Sequence, residues 1–116
     1  MTDPKQQLSR YNALREELET LDATIRKAPE PIRPGLLADL IAIQQQMAEI
    51  ARAVDALDAP EERNVIRLRY MQGGRKLTGW SSVCVAMWGD DDDAHLRSAY
   101  RIHKRALQHL EEAGDV

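Results

Sequence analysis

Cationic side chains near the C-terminal half form the pattern most able to bind a charged ligand. Residues 63–88 and residues 94–110 contain arginine and lysine but neither aspartate nor glutamate. Such acid-free basic blocks indicate a surface that faces an anion, for example the phosphates of a nucleic acid. A solvated helix face is the alternative that charge alone leaves open. The first block carries Arg63, Arg67, Arg69, Arg75 and Lys76, and the second carries Arg97, Arg101, Lys104 and Arg105.

The other reactive side chains show no enzymatic or metal-binding pattern. His95 and His109 have no partner at metal-ligand spacing, and Asp91 with His95 supplies too few ligands for a metal site. His103 falls on an apolar helix face, which favours a hydrogen-bonded core residue. Cys84 lies among apolar neighbours, so we expect packing, not catalysis. With no catalytic triad, paired catalytic carboxylates or phosphate-binding glycine loop, we expect no enzyme, no metal and no cofactor.

Length and composition favour one small globular unit. The chain has 116 residues, of which 43% are hydrophobic and 30% charged, with a net charge of -3. These values are typical of a folded domain, or of a small domain with an arm, and argue against indiscriminate coating of nucleic acid. No apolar run approaches the ~20 residues of a membrane span, and no signal peptide is recognisable. We therefore expect no membrane partner and a location in the bacterial cytoplasm.

Two long amphipathic helices are predicted in residues 1–58, which we interpret as an oligomerisation arm. Asp3 and Pro4 mark the first start, and three prolines in residues 29–34 interrupt the pattern. So short a connector folds the helices back as an antiparallel hairpin. The first apolar stripe is Tyr11, Leu14, Leu18, Leu21 and Ile25, and the second is Leu36, Leu40, Ile43, Met47, Ile50, Val54 and Leu57.

A weaker apolar strip beside the second stripe requires another neighbour. It contains Leu37, Ile41, Ala48 and Ala51. Docking on the C-terminal half would cover it, and so would a second copy of the chain in a four-helix arrangement. We favour the homodimer. The predicted oligomerisation residues are Leu36, Leu37, Leu40, Ile41, Ile43, Met47, Ile50 and Val54.

Three shorter helices are predicted in residues 59–116. Pro60 opens the first, which Gly73 and Gly74 end, and Thr78 is the expected N-cap of the next, which Gly89 ends. Asp90 to Asp93 then cap a last helix. Its apolar face is predicted to be buried and its cationic face exposed. The predicted buried residues are Leu96, Tyr100, His103, Leu107 and Leu110.

A short helix, a glycine turn and a longer cationic helix are typical of a helix-turn-helix, whose second helix enters the major groove of DNA. The residues Asp58-Ala-Pro-Glu-Glu-Arg-Asn-Val-Ile-Arg-Leu-Arg-Tyr70, then Leu77, Thr78, Trp80, Val83 and Met87, then Tyr100-Arg-Ile-His-Lys-Arg-Ala-Leu107 resemble sigma-factor region four. They are most similar to the small phage regulators of the RinA/ArpU type. The resemblance implies an all-α protein that binds promoter or operator DNA, often at late genes, with an N-terminal helical segment for oligomerisation.

Within this hypothesis the cationic residues have distinct roles. His95, Arg97, Ser98 and Arg101 are expected to face base edges, with Arg97 and Arg101 matching the two acceptors of guanine. Phosphates are the expected targets of Arg75, Lys76, Lys104 and Arg105. The roles of Arg67 and Arg69 are ambiguous, because one of them can instead pair with a carboxylate inside the domain.

Two features depart from the family. Gly79 stands between Thr78 and Trp80, where the family runs threonine directly into tryptophan, so the start of the helix can shift. The run Asp90 to Asp93 would repel nearby phosphates. Helix capping explains one or two of these carboxylates, and selection against non-specific DNA or acceptance from cytosine is the functional alternative.

The sequence therefore predicts a phage or prophage sequence-specific DNA-binding transcriptional regulator. It is expected to act as a homodimer on double-stranded DNA, with its last helix in the major groove. The alternative is a phage-derived module that binds a protein, either RNA polymerase or a host defence protein. The operator, the sign of regulation and the host do not follow from the sequence.

Overall fold

The computed structural model describes residues 3–72 and 77–114, and all regular structure in these ranges is helical. The all-α prediction is therefore confirmed. The five α-helices are α1 (Pro4–Lys27), α2 (Arg33–Asp55), α3 (Pro60–Ile66), α4 (Trp80–Trp88) and α5 (Asp93–Gly114). A 3₁₀ turn, Glu30–Ile32, precedes α2, and a π-helical segment, Arg67–Met71, continues α3. Within the described ranges, no helix has both the length and the apolar character needed to cross a bilayer.

Helix-breaking residues set most helix ends where the sequence predicts them. Proline occupies the first turn of α1, α2 and α3. Gly89 ends α4 with a φ of 86°, a left-handed conformation that glycine adopts without steric cost. The expected N-cap is wrong, because α4 is preceded by Gly79 and has no side-chain cap. Thr78 instead uses its backbone, and its N–H donates to the Arg69 carbonyl at 3.0 Å.

Helices α1 and α2 lie side by side and run in opposite directions. The Arg10 guanidinium near the start of α1 donates to the Gln46 side chain, 3.2 Å away in the second half of α2. Thr20 and Leu21, further along α1, line a groove with Asp39 near the start of α2. The three prolines of the connector reverse the chain within a few residues.

The main apolar cluster joins the N-terminal helices to the C-terminal ones. Its fully or nearly buried members are Leu8, Val54, Leu57, Ile66, Tyr70 and Ala106. Burial of a large aliphatic side chain contributes about 1.5–3 kcal/mol, so these contacts hold α1 and α2 firmly against α3 and α5. The division at residues 58 and 59 stays a prediction, and this cluster crosses it.

Helix α5 is rotated from the predicted orientation. Its fully buried residues are Ala99 and Ala106, with Ile102 4% exposed, whereas Tyr100 is 49% exposed. At about 100° per residue, the buried residues centre about 90° from Leu96, whereas the spacing of the large apolar residues predicts Leu96 at the middle of the buried face. The two alanines explain the rotation, because small side chains let α5 approach α3 closely while larger residues flank the contact.

Candidate nucleic-acid interface

The cationic residues of α5 lie on its exposed side. Arg97, Arg101, Lys104 and Arg105 are all exposed, and Ser98 is half-buried. No hydrogen bond or ion pair involves the four cationic side chains in the part of the chain that the structure describes. Helix α1 contacts α5 without covering Arg97 or Arg101. Four cations on about two and a half helical turns therefore remain available to an anionic ligand.

Tyr100 belongs to the same surface, which sequence reasoning missed. It lies three residues after Arg97 and four before Lys104, spacings that place side chains on one helix face. Its ring meets the Trp80 ring edge-to-face, with centroids 5.0 Å apart and an interplanar angle of 73°. A large aromatic residue in an apolar repeat indicates burial, so only the small size of Ala99 and Ala106 could have signalled the exposure.

An aromatic and cationic cluster holds α4 and α5 in position. The Tyr70 hydroxyl and the His103 Nε2 are 2.6 Å apart, and their rings stack with centroids 5.6 Å apart. Trp80 packs edge-on against His103 at 4.9 Å. The Arg69 guanidinium lies over the Trp80 ring, 4.7 Å from its centroid, and donates to the Thr78 carbonyl at 2.7 Å. These contacts fix the entry of α4 relative to α5.

His103 is therefore hydrogen-bonded, as predicted, but it is half-buried and not a fully buried core residue. Burial lowers the pKa of His103 to about 4, and the positive charges of Arg69 and Lys5 act in the same direction. Burial raises the pKa of Tyr70. Both side chains are consequently neutral near pH 7, and His103 adds no positive charge to the α5 surface.

The two ambiguous arginines are both engaged within the chain. The Arg67 guanidinium forms an ion pair with Asp55 at 2.5 Å, an exposed carboxylate of α2, whereas the sequence predicts a partner inside residues 59–116. Arg69 is held by Trp80 and Thr78. Neither extends the free cationic surface. Arg75 and Lys76, two of the predicted phosphate contacts, lie outside the described residues.

His95 is engaged within the chain, so its predicted base-reading role stays a prediction that these contacts do not support. The His95 Nδ1 contacts the Asp90 carboxylate and lies 3.2 Å from Asp92 Oδ1. Its ring also stacks on Trp88, with centroids 5.0 Å apart. At about 100° per residue, His95 points about 160° away from Arg97. It therefore supports the turn before α5, and Arg97 and Arg101 are left as the candidate base-reading cations.

The acidic run divides into two engaged and two unengaged carboxylates. Asp92 Oδ1 accepts from the His95 backbone N–H at 2.8 Å, which is the predicted helix cap. Hydrogen bonds from the His95 ring and then from the Asp92 backbone lower the pKa of Asp90. No ion pair or side-chain hydrogen bond involves Asp91 or Asp93 in the described ranges.

One cluster in the described ranges brings three potential metal ligands together. Ligand atoms of Asp90, Asp92 and His95 lie within 4.8 Å of one another, with both carboxylates exposed. The sequence singled out Asp91, whereas the turn brings its two neighbours to the imidazole. Exposed acidic groups of this kind are common without an ion.

Cys84 and the pair of Glu62 with His109 belong to the packing beneath the surface. Cys84 is fully buried, which confirms its predicted packing role, and burial raises the pKa of its thiol. The Glu62 side chain is 3% exposed and accepts from the His109 ring at 2.6 Å, while His109 is 48% exposed. This contact joins the start of α3 to the end of α5.

The predicted oligomerisation residues fall into three groups. Val54 is fully buried inside the chain, so its assignment to a subunit contact is corrected: it packs in the intramolecular core. Ile50 packs against that core too. Leu37 and Ile41 are 43% and 51% exposed. The half-buried residues are Leu36, Leu40, Ile43 and Met47.

Comparison with known proteins identifies no relative of this chain. No protein-family model, no curated protein and no solved structure matches the chain. The resemblance to RinA/ArpU-type regulators therefore stays a prediction that depends on the residues quoted for it.

Proposed function

We propose that this protein is a sequence-specific transcriptional regulator that inserts α5 into the major groove of double-stranded DNA. The observation that carries this proposal is the orientation of α5. One side of the helix, with Ala99, Ile102 and Ala106, is buried. The cations Arg97, Arg101, Lys104 and Arg105 are exposed and have no partner in the described chain. A helix held in this way can present guanidinium groups to base edges and phosphates. Helices α3, α4 and α5 then serve as a helix-turn-helix of the sigma region-four type.

In this proposal the cationic residues contact different parts of the DNA according to their position along α5. Arg97 and Arg101 lie in the first half of α5 and recognise guanine through its two major-groove acceptors. Lys104 and Arg105 lie further along and bind phosphates, which strengthens binding to any sequence. The resemblance supports a phage or prophage origin, action in the bacterial cytoplasm and control of late genes.

A homodimer completes the proposal. Leu37 and Ile41 are large apolar side chains of α2 that are 43% and 51% exposed. Pairing of two N-terminal hairpins over this face removes apolar surface from water and brings two α5 helices to one operator.

Selection of bound duplexes from a random library, followed by band-shift measurements, tests the function. A double Arg97→Ala, Arg101→Ala variant is expected to lose at least tenfold in affinity for the selected sequence and most of its preference over scrambled DNA, since each arginine–guanine contact contributes about 1–3 kcal/mol. An Arg26→Ala variant is the control, because Arg26 pairs with Asp22 on α1, outside this surface. Equal binding of all duplexes by unmutated protein and double variant contradicts direct readout.

The unengaged carboxylates of Asp91 and Asp93 favour a second candidate function. An acidic turn imitates DNA phosphates, so the chain could bind a DNA-binding surface of RNA polymerase or of a host defence protein. Stoichiometric binding to purified RNA polymerase, lost in an Asp91→Asn, Asp93→Asn variant and accompanied by no DNA affinity at low salt, would support this candidate over the first.

A further inference from the structure

Tyr100 is an exposed aromatic residue in the middle of a cationic surface. It is 49% exposed, although the buried side of α5 is already filled by Ala99, Ile102 and Ala106. About half of the tyrosine is therefore free to contact a ligand. Arg97 and Lys104 flank it on the same helix face.

The Tyr100 ring is held in place before any ligand binds. Its neighbour Trp80 contacts it edge-to-face at 5.0 Å. Trp80 itself packs edge-on against His103, and the Arg69 guanidinium lies over its ring. An aromatic side chain with few rotatable bonds and a fixed neighbour loses little conformational entropy on binding, which suits it to recognition.

The major groove offers such a ring one apolar feature. Thymine carries a 5-methyl group there, whereas the other base edges present hydrogen-bond donors and acceptors. Under the proposed function, the flanking cations Arg97 and Lys104 hold α5 against bases and phosphates, which brings the intervening ring to the same depth. A methyl group that packs on this ring is removed from water.

We propose that Tyr100 contacts the 5-methyl group of a thymine in the major groove and thereby specifies that base. This inference rests on the proposed function, because it requires α5 to lie in the groove. The ring, and not the hydroxyl, makes the contact. The surface then combines apolar recognition of thymine with cationic recognition of guanine.

Replacement of thymine by deoxyuridine removes only the methyl group and tests the contact with unmutated protein. Duplexes selected from a random library are substituted one thymine at a time. Affinity is expected to fall about fourfold at one position in each half-site, which is the effect of exposing one methyl-sized group. A Tyr100→Phe variant is expected to keep the affinity and the penalty. A Tyr100→Ala variant is expected to bind less tightly and to show no penalty at that position.

Two controls separate the contact from a folding defect. Ile32→Ala changes a residue of similar exposure, 55%, in the 3₁₀ turn away from α5, and is expected to keep the uracil penalty. In addition, 5-iodouracil at the sensitive position, irradiated in complex with unmutated protein, is expected to crosslink to Tyr100. That measurement needs no variant.

The outcomes distinguish the two levels of the proposal. If no duplex is selected above background, the proposed function fails and this inference fails with it. If a duplex is selected but no thymine shows a penalty, or if Tyr100→Ala retains it, only the thymine contact is overturned. Loss of affinity in Tyr100→Phe without any uracil penalty would assign the hydroxyl to a phosphate and likewise overturn it.

Discussion

Acidification is expected to destabilise the protein through His103. The pKa of this imidazole is about 4 in the folded chain, against an ordinary value of 6.5, chiefly because burial disfavours the charged ring. Between these two pH values, an unfolded chain binds a proton that the folded chain does not. The free energy of unfolding therefore falls as the pH drops, by about 1.4 kcal/mol per unit. This contribution is fully present above pH 6.5.

The magnitude follows from the width of that window. At pH 4.5, two units below the unfolded pKa, the loss attributable to His103 is about 2–3 kcal/mol. Other titrating groups add their own effects, so the comparison requires a variant without this imidazole. His103→Gln keeps a hydrogen-bonding group for the Tyr70 hydroxyl but does not titrate.

Urea unfolding at pH 7.5 and pH 4.5 provides the assay. Unmutated protein is expected to lose about 2–3 kcal/mol more than His103→Gln between the two conditions. His95→Gln, which removes a ring beside the acidic turn, is the control and is expected to retain the larger loss. Equal losses in unmutated protein and His103→Gln, or an NMR titration of this ring near pH 6.5, would refute the reasoning.

Three further changes test separate features of the chain. Asn12 is 5% exposed, and its side-chain N and O have no hydrogen-bond partner among the residues that the structure describes. Asn12→Leu is therefore expected to raise the free energy of unfolding by about 1 kcal/mol in urea denaturation; lower stability would indicate hydration of this site. Lys104→Ala with Arg105→Ala is expected to reduce the slope of log affinity against log salt by about 2 while sequence preference persists, and an unchanged slope would remove both from the phosphate contacts. Leu37→Asp with Ile41→Asp is expected to convert a dimer into a monomer in sedimentation analysis, and a persistent dimer would locate the subunit contact elsewhere.

Local sequence signals predicted the helix boundaries well. Pro4, Pro34 and Pro60 fall in first turns, where the missing N–H removes no intrahelical hydrogen bond. Gly89 occupies the left-handed conformation that ends α4. These effects depend on one or two residues, so they can be read without knowledge of the rest of the fold.

The orientation of α5 could not be predicted from the spacing of its large apolar residues. Periodicity weights Leu96 and Leu107 above Ala99 and Ala106, although the closest approach of two helices is decided by the smallest side chains. The contact of Tyr70 with His103 joins residues 33 positions apart, so no local pattern contained it. The exposure of Tyr100 follows from the close approach at the alanines and from the position of His103 against Tyr70.

The candidate site was predicted best where its residues depend only on exposure. The exposure of Arg97 and Arg101 depends only on which side of α5 is buried. Despite the rotation of α5, both residues lie outside its buried face. His95 required more, because its direction is set by a hydrogen-bonding carboxylate and a stacked tryptophan. Acidic residues next to a histidine signal such an interaction, but they do not say which carboxylate makes it.

The acidic turn alters how specificity can arise at the proposed interface. Repulsion between a carboxylate and a close phosphate weakens DNA binding by about 1 kcal/mol in water. Because every duplex carries phosphates, this cost lowers specific and non-specific affinity alike. The carboxylate increases sequence preference only if the correct base sequence gives it a favourable contact that offsets this cost. Asp93 is suited to that role, since it is unengaged in the described chain and lies four residues before Arg97. A cytosine amino group is the donor that relieves a carboxylate in the major groove, and its guanine partner is the base that arginine recognises. Under the proposed function, Asp93 and Arg97 together therefore favour one orientation of a G·C pair, which a phosphate-binding cation alone cannot do.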